Sequence, residues 1–262
     1  MNKYFLLILS TFLIQHTFAQ PQIERGQFES NGVEINYIES GEGEAVILAH
    51  GFTGSVDTWL RVGLYQSLAE KYRVVAFDAR GHGLSGKPTD IDYYGKEMGR
   101  DIIRLMDHLD ISSAHIVSYS MGSRLISVAI TEYQSRFKSV VFGGRVPTWE
   151  WRATDEQTAQ DRYKMLTANP SQIVLRAGAN PLALALVQLG LKDMTIPIDE
   201  FKKLQIPMLA ILGSEDPRLI SAREFKSEVP SMELIVVEGE NHGSTASHSI
   251  FSSSVQDFLS QN

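Results

Sequence analysis

Three side chains whose types could act together in nucleophilic chemistry, Ser120, Asp216 and His242, are spread along this sequence of 262 residues. A serine hydroxyl attacks a carbonyl efficiently only when a base takes its proton, and histidine is the usual base. That histidine needs a carboxylate, which fixes its tautomer and stabilises the imidazolium form. The three residues therefore predict acyl transfer through a covalent serine intermediate, with Asp216 as the acid and His242 as the base.

The segment around Ser120 supports this role for the serine. Residues 118–122 read S-Y-S-M-G, which is close to the G-x-S-x-G turn that exposes a nucleophilic serine between a strand and a helix. The turn is so sharp that side chains two positions before and after the serine nearly collide, so both must be small. Gly122 meets this requirement, and Ser118 replaces the usual glycine with another small residue. We expect a strained backbone that raises the Ser120 hydroxyl into a cleft.

Asp216 and His242 each follow a strand-like segment, and functional loops of a parallel sheet lie at such positions. Glu215 is the alternative acid, but a shift of one residue turns the side chain elsewhere on the loop. His248 is less well placed than His242, because it lies beyond the loop at the start of the last predicted helix. The order nucleophile, acid, base along the chain also fits Ser120, Asp216 and His242.

Acyl transfer also requires backbone N–H donors for the negative oxygen of the tetrahedral intermediate. Met121 follows the serine at the start of a predicted helix and is the first predicted donor. The second is Phe52, in the segment H-G-F-T-G-S at 50–55, where glycines let the backbone approach a ligand closely. We therefore expect Phe52 and Met121 to form an oxyanion hole.

Strand-like and helix-like segments alternate along the chain, and they predict the scaffold that holds these loops. Val33–Ile38 alternates apolar and polar residues after the hairpin dipeptide Asn31-Gly32 and is typical of an antiparallel edge strand. The other predicted strands are 45–49, 73–77, 114–118, 139–142, 207–212 and 233–237, and the predicted helices are 58–71, 96–109, 122–133, 220–227 and 249–259. Repeated βα units predict an α/β protein with a doubly wound, mostly parallel sheet.

This alternation is interrupted at about 147–203, where the sequence predicts a helical insertion. The insertion contains Trp149 and Trp151, and its helix-like pieces are 155–168, 171–177 and 181–189. We expect it to form a lid over the edge of the sheet that carries the loops. Its most apolar face consists of Leu182, Leu184, Leu186 and Leu189. These leucines either pin the lid to the core or line an apolar pocket, and the sequence leaves both readings open.

The N-terminal segment has the features of a secretory signal. Lys3 precedes an apolar run of roughly eleven residues, and the small residues Thr17 and Ala19 then precede Gln20. Residues 1–19 therefore predict a signal peptide, and residues 20–262 form the predicted mature domain. After cleavage of the signal, we expect the protein to be periplasmic or secreted. The apolar run is shorter than the ~20 residues of a spanning helix, and an uncleaved anchor is the alternative.

The composition excludes several classes of partner. The formal net charge is −7 and no run of Lys or Arg occurs, which argues against nucleic acid and a stable association with anionic membranes. The sequence contains no cysteine, so an exported form would depend on its hydrophobic core rather than on disulfides. The oligomeric state is not determined by the sequence.

Five segments, considered together, resemble the α/β-hydrolase superfamily, in its lid-bearing branch of serine esterases and carbon–carbon bond hydrolases. They are H-G-F at 50–52, D-A-R-G-H-G-L-S at 78–85, S-Y-S-M-G at 118–122, G-S-E-D at 213–216 and N-H-G at 241–243. In this family the loop corresponding to 78–85 is structural, so we assign it no chemistry. Ser118 and Ser123 depart from the family pattern, which has glycine at these positions.

The resemblance implies a serine hydrolase, most simply a carboxylesterase that cleaves small or medium esters with an apolar part and uses no cofactor. Ser120 argues against relatives that resemble epoxide hydrolases or haloalkane dehalogenases, which have aspartate at this position. The alternatives are a carbon–carbon bond hydrolase or lyase, a cofactor-free perhydrolase, and a non-catalytic binding protein. The sequence contains no metal-ligand cluster, phosphate-binding loop or dinucleotide-binding fingerprint.

Overall fold

The structure is a computed structural model that describes residues 22–147, 149, 156–169 and 179–262. The predicted signal peptide at 1–19, Trp151 and the helix-like piece at 171–177 lie outside these residues. The strands are β1 (Glu24–Ser30), β2 (Val33–Ser40), β3 (Ala45–Ala49), β4 (Arg73–Phe77), β5 (Ala114–Tyr119), β6 (Phe137–Gly143), β7 (Met208–Gly213) and β8 (Glu233–Val237). They form one eight-stranded sheet in the order β1-β2-β4-β3-β5-β6-β7-β8.

The sheet is antiparallel at one side and parallel elsewhere. β2 pairs antiparallel with both β1 and β4, and the pairs from β4 through β8 are parallel. Parallel strands bring their C-terminal ends to one edge of the sheet. The loops after β3, β5, β6, β7 and β8 therefore meet at that edge, and the prediction of a mostly parallel sheet is confirmed.

The first hairpin differs from the sequence-based prediction. Asn31 and Gly32 have φ values of 48° and 77°, as a two-residue turn between β1 and β2 requires. The prediction that β2 is an edge strand is wrong, because β1 occupies the edge. The sequence pattern does not reveal β1, since only Phe28 and Ser30 of its seven residues are buried.

The helices in the described residues cover both faces of the sheet. They are α1 (Val56–Arg61), α2 (Leu64–Ala69), α3 (Glu97–His108), α4 (Met121–Glu132), α5 (Glu156–Ala168), α6 (Pro181–Gly190), α7 (Ile198–Lys202), α8 (Leu219–Glu228) and α9 (Ser249–Ser260). A single helix at 58–71 was predicted, and this is wrong. Gly63 has a left-handed φ of 77° and separates α1 from α2.

Two apolar layers hold these helices against the sheet. One layer contains residues of α3, α4 and α8, such as Ile102, Leu125 and Phe225. The other contains residues of α1, α2 and α9, such as Trp59 and Phe251. Because helices lie on both faces, the sheet is doubly wound as predicted. Within the described residues, none of these helices has the length and apolar character needed to cross a bilayer.

The segment between β6 and β7 is helical where the structure describes it. It contains α5, α6 and α7, and α5 packs against α6. Leu166, Leu184 and Ala185 form a small buried cluster between these two helices. The helical character of the insertion therefore agrees with the sequence-based expectation over 156–168 and 181–190.

Candidate active site

Ser120 lies at the turn between β5 and α4, and its backbone is strained. Its φ of 52° and ψ of −107° lie in a region that non-glycine residues rarely adopt. The Ser120 N–H donates to the Gly143 carbonyl at 2.8 Å, which holds the turn on β6. A Cβ atom added to Gly122 would collide with the Ala49 and His50 carbonyl oxygens. The start of α4 therefore packs so closely on the end of β3 that only glycine fits at position 122.

The structure brings Ser120, Asp216 and His242 together, although they come from three loops. The Ser120 Oγ lies 2.8 Å from His242 Nε2, and His242 Nδ1 lies 2.7 Å from Asp216 Oδ2. An ionised carboxylate can only accept a hydrogen bond, so Nδ1 carries the imidazole proton. Nε2 is then the acceptor that faces the serine hydroxyl, which is the arrangement needed to remove the serine proton.

Asp216 is held from two sides. His242 binds Oδ2, while the backbone N–H of Arg218 and its guanidinium donate to Oδ1 at 3.0 and 3.1 Å. Burial by itself would raise the pKa of the Asp216 carboxyl, but the hydrogen bonds from His242 and Arg218 outweigh it and hold this pKa below its ordinary value. The neighbouring Glu215 is exposed. Of the two carboxylates that the sequence offers, Asp216 is thus the one that contacts His242.

Tyr119 is a neighbour of His242 that the sequence analysis did not identify. Its hydroxyl donates to the His242 backbone carbonyl at 2.7 Å, and the two ring centroids lie 5.5 Å apart. Burial raises the pKa of this hydroxyl to about 12, so it remains a hydrogen-bond donor. Gly144 packs on the same rings, since a Cβ atom there would lie 2.8 Å from Tyr119 and 3.1 Å from His242. No spacing rule links Tyr119 to position 242, so only the fold reveals this contact.

The loop that carries Phe52 is held in place by His50. His50 Nε2 accepts from the Ala79 N–H at 3.1 Å, and its Nδ1 donates to the Gly51 carbonyl at 2.7 Å. One accepting and one donating nitrogen require the neutral imidazole, and burial lowers the pKa of His50 accordingly. Gly51 lies against the serine turn, because a Cβ atom there would be 3.4 Å from the Ser120 Cβ.

A cavity of about 210 Å³ opens next to Ser120. The predicted N–H donors Phe52 and Met121 both line it. Its other lining residues are Arg124, Arg145, Arg162, Gln188, Leu191 and Arg218. Three of these come from the helical insertion and the segment directly after α6, so the insertion forms part of the cavity wall. The arginines were not predicted from the sequence.

The leucines of the predicted lid face do not line this cavity in the described structure. Leu184 and Leu186 are buried, Leu184 against Leu166 between α5 and α6 and Leu186 in the main core. Leu182 packs against the main core from a partly buried position, and Leu189 lines a separate surface pocket. Packing, rather than contact with the cavity beside Ser120, therefore accounts for Leu182, Leu184 and Leu186.

Comparison with known proteins places the fold in a family. Residues 44–172 match the family model for the alpha/beta hydrolase fold. An epoxide hydrolase of Caballeronia sordidicola is 37% identical over 119 residues, which are 45% of this chain and 36% of that protein. A 2-(acetamidomethylene)succinate hydrolase of Mesorhizobium japonicum is 26% identical over 80% of this chain and 85% of its own length.

A solved structure is similar over nearly all of the chain. The bromoperoxidase of Bacillus anthracis superimposes with a TM-score of 0.76 and 24% identity, and the match covers 90% of this chain and all of that one (100%). The family match extends from β3 through β5 and α4, which carry the serine turn. This agreement in sequence and in fold assigns the chain to the α/β-hydrolase superfamily.

Proposed function

We propose that this protein is a serine hydrolase that cleaves small or medium carboxylic esters through an acyl-enzyme, with Ser120 as nucleophile, His242 as base and Asp216 as acid. The observation that carries the proposal is the continuous hydrogen-bonded chain from Ser120 Oγ through the His242 ring to Asp216. The cavity beside Ser120 supports it, because a reacting carbonyl has room there.

In the first half of the reaction, His242 Nε2 takes the hydroxyl proton as Ser120 Oγ attacks the ester carbonyl. The imidazolium that forms keeps its Nδ1–H bond to Asp216, whose low pKa keeps the carboxylate ionised. The carbonyl oxygen becomes negative and accepts hydrogen bonds from the Phe52 and Met121 N–H groups. Collapse of the intermediate breaks the ester bond, and His242 returns the proton to the departing alcohol.

In the second half, His242 takes a proton from water, and the resulting hydroxide attacks the acyl carbonyl on Ser120. The same two N–H groups stabilise the second tetrahedral intermediate. The bond from Ser120 Oγ to the acyl carbon then breaks, the proton on Nε2 returns to the serine oxygen, and the carboxylic acid leaves. Each step is a proton or acyl transfer, so the proposed reaction uses no cofactor.

The second candidate function keeps the same three residues and changes the bond that is cleaved. The relative from Mesorhizobium japonicum is named for a substrate with an acetamido group rather than an ester. Carbon–carbon bond hydrolysis and perhydrolysis belong to the same class of alternatives, since they also begin at a carbonyl or an acyl-enzyme. The similarity to an epoxide hydrolase covers only 36% of that protein, and Ser120 favours acyl chemistry over epoxide opening.

We also propose that the protein is exported, because residues 1–19 have the pattern of a secretory signal. N-terminal sequencing of the mature chain tests this, and the expected first residue is Gln20. A chain that retains its first residues in the cytoplasmic fraction would contradict export and would leave the hydrolase proposal unaffected.

Rapid mixing with 4-nitrophenyl esters of acids with two to eight carbons tests the hydrolase proposal. We expect a burst of nitrophenolate that approaches one equivalent per chain, followed by steady turnover. His242→Ala should abolish the burst, and His248→Ala, at the start of α9, is the matched control. The second candidate would be favoured if no ester is turned over and the protein instead cleaves amides or carbon–carbon bonds, or forms peracids.

A further inference from the structure

Four arginine side chains meet at the cavity beside Ser120, and the proposed mechanism uses none of them to bind substrate. Arg124 lies on α4, one turn after the serine, and Arg145 follows the end of β6. Arg162 lies on α5, and Arg218 follows β7. Four separate segments thus direct positive charge to one cavity of about 210 Å³.

These arginines repel one another. Arg124 is 4% exposed, and burial together with the charges of Arg145, Arg162 and Arg218 lowers its pKa to about 9. Burial lowers the pKa of Arg145, and the positive charges of Arg218 and Arg162 lower it further, to about 10. The negative charge of Asp216 offsets a smaller part of this effect. The four guanidinium groups give this cavity a positive potential, which favours an anionic group of a ligand.

Some of these arginines also make contacts within the protein. Arg124 donates to the Leu191 carbonyl at 3.3 Å, and Arg218 orients the Asp216 carboxylate. Arg145 and the exposed Arg162 line the same cavity as the nucleophile, so a ligand that reacts at Ser120 lies beside them.

We infer that the acyl part of the substrate carries a carboxylate, which the cluster of Arg124, Arg145, Arg162 and Arg218 binds while the ester carbonyl lies at Ser120. This inference rests on the proposed function. A guanidinium pairs with a planar carboxylate through two parallel hydrogen bonds. The preferred substrates are therefore half-esters of short dicarboxylic acids, and the carboxylate directs the acyl chain away from the leaving alcohol.

The dimensions of the cavity limit the length of such an acid. The cavity of about 210 Å³ is partly open to solvent, so the distance from Ser120 to the arginines, rather than the volume, sets this length. Arg124 lies four residues after Ser120, which is a rise of about 6 Å along a helix. An acid with four or five carbons fits these limits. Phe52, Met121 and Leu191 supply the apolar wall against which its methylene groups would pack.

The first test compares two aryl esters that differ only in charge, the 4-methylumbelliferyl half-ester of glutaric acid and the same compound with its free carboxylate methylated. We expect a kcat/KM for the acid at least ~10-fold above that of the neutral ester, since a hydrogen bond to a charged group contributes more than a neutral one. Arg145→Gln and Arg162→Gln should each reduce this ratio. Arg223→Gln, an exposed arginine of α8 outside the cavity, is the matched control and should leave the ratio unchanged.

The second test measures binding without turnover. In the Ser120→Ala protein, glutarate should raise the melting temperature, and it should do so less in the Ser120→Ala/Arg162→Gln protein. Arg162 is suited to this test because it is exposed on α5, so its replacement leaves the core intact. Glutarate binding without ester turnover would reject the proposed hydrolase function and retain the anion site.

Three results would overturn the inference. The first is turnover of both esters at equal rates, which would leave the hydrolase function standing. The second is an acid preference that persists in both arginine variants. The third is stabilisation by inorganic phosphate but not by glutarate, which would assign the cluster to a phosphate group instead of a carboxylate.

Discussion

The hydroxyl groups of Ser118 and Ser123 lie 3.0 Å apart, and both side chains are fully buried on either side of the Ser120 turn. Ser118 Oγ donates to the Val141 carbonyl at 3.0 Å, so Ser123 is the donor within the pair. These two serines occupy the positions at which the chain departs from the glycines of its family. Each departure therefore supplies the hydrogen-bond partner of the other, which explains how the turn accommodates both.

This pairing predicts a coupling between the two serines. Ser118→Ala and Ser123→Ala should each lower the free energy of unfolding, because each removes the hydrogen bond between the two buried hydroxyls, and Ser118→Ala also leaves the Ser123 hydroxyl without its acceptor. The double variant should lose about 1 kcal/mol less than the sum of the single losses. Urea unfolding of the four proteins measures this, and Ser67→Ala combined with Ser123→Ala, in which Ser67 lies on α2, should be additive. Additive losses for Ser118 and Ser123 would show that the hydrogen bond between them contributes no coupling energy.

The identity of the acid gives the second prediction. Asp216→Asn should reduce kcat by about a thousandfold or more, because an amide at this position stabilises the wrong tautomer of His242. Glu215→Gln is the matched control, and its side chain is exposed, so kcat should change little. A larger loss in Glu215→Gln than in Asp216→Asn would assign the role of the acid to Glu215.

The lowered pKa of Asp216 gives a prediction for stability as a function of pH. A carboxyl whose pKa is lower in the folded than in the unfolded protein stabilises the fold above its ordinary pKa of about 3.9. That contribution is lost as the pH falls through the lower folded-state pKa. The difference in unfolding free energy between wild type and Asp216→Asn should therefore shrink as the pH falls from 5 towards 2. A difference that stays constant over this range would contradict the lowered pKa.

Tyr119 gives a prediction for a residue that positions His242 without contacting substrate. Tyr119→Phe removes the hydrogen bond to the His242 carbonyl but keeps the ring. We expect kcat to fall roughly 3- to 10-fold with little change in KM, since one hydrogen bond contributes about 1 kcal/mol. Tyr133→Phe, at an exposed tyrosine after α4, should leave both constants unchanged. A rise in KM alone would mean that Tyr119 contributes to binding instead.

The sequence was informative where one local requirement dominates. The continuous apolar runs at 45–49 and 73–77 favour buried strands, and Asn31-Gly32 favours a two-residue turn. The protein has both strands, β3 and β4, and the turn. Positions 216 and 242 could be proposed as partners because loops after parallel strands must meet at one edge. The break at Gly63 was not predicted, because the apolar pattern of 58–71 continues across it while the backbone changes to a positive φ.

The arginine cluster could not be predicted from the sequence for a different physical reason. Its members come from α4, α5 and the ends of β6 and β7, so no spacing along the chain connects them. Strand β1 could not be predicted for the same reason. Its sequence is mostly polar, and its strand structure depends on pairing with β2 rather than on its own apolar residues. Both the arginine cluster and β1 depend on tertiary contacts, and the pattern of apolar residues within one segment does not predict such contacts.

The nucleophile is the central element of the account, and covalent labelling tests it most directly. The folded protein is treated with a fluorophosphonate, digested, and the modified peptide is identified by mass spectrometry. We predict one modification, on Ser120, which is lost in Ser120→Ala and in His242→Ala but retained in Ser123→Ala. A fluorophosphonate adduct on a different serine, or undiminished labelling of Ser120→Ala, would contradict the account.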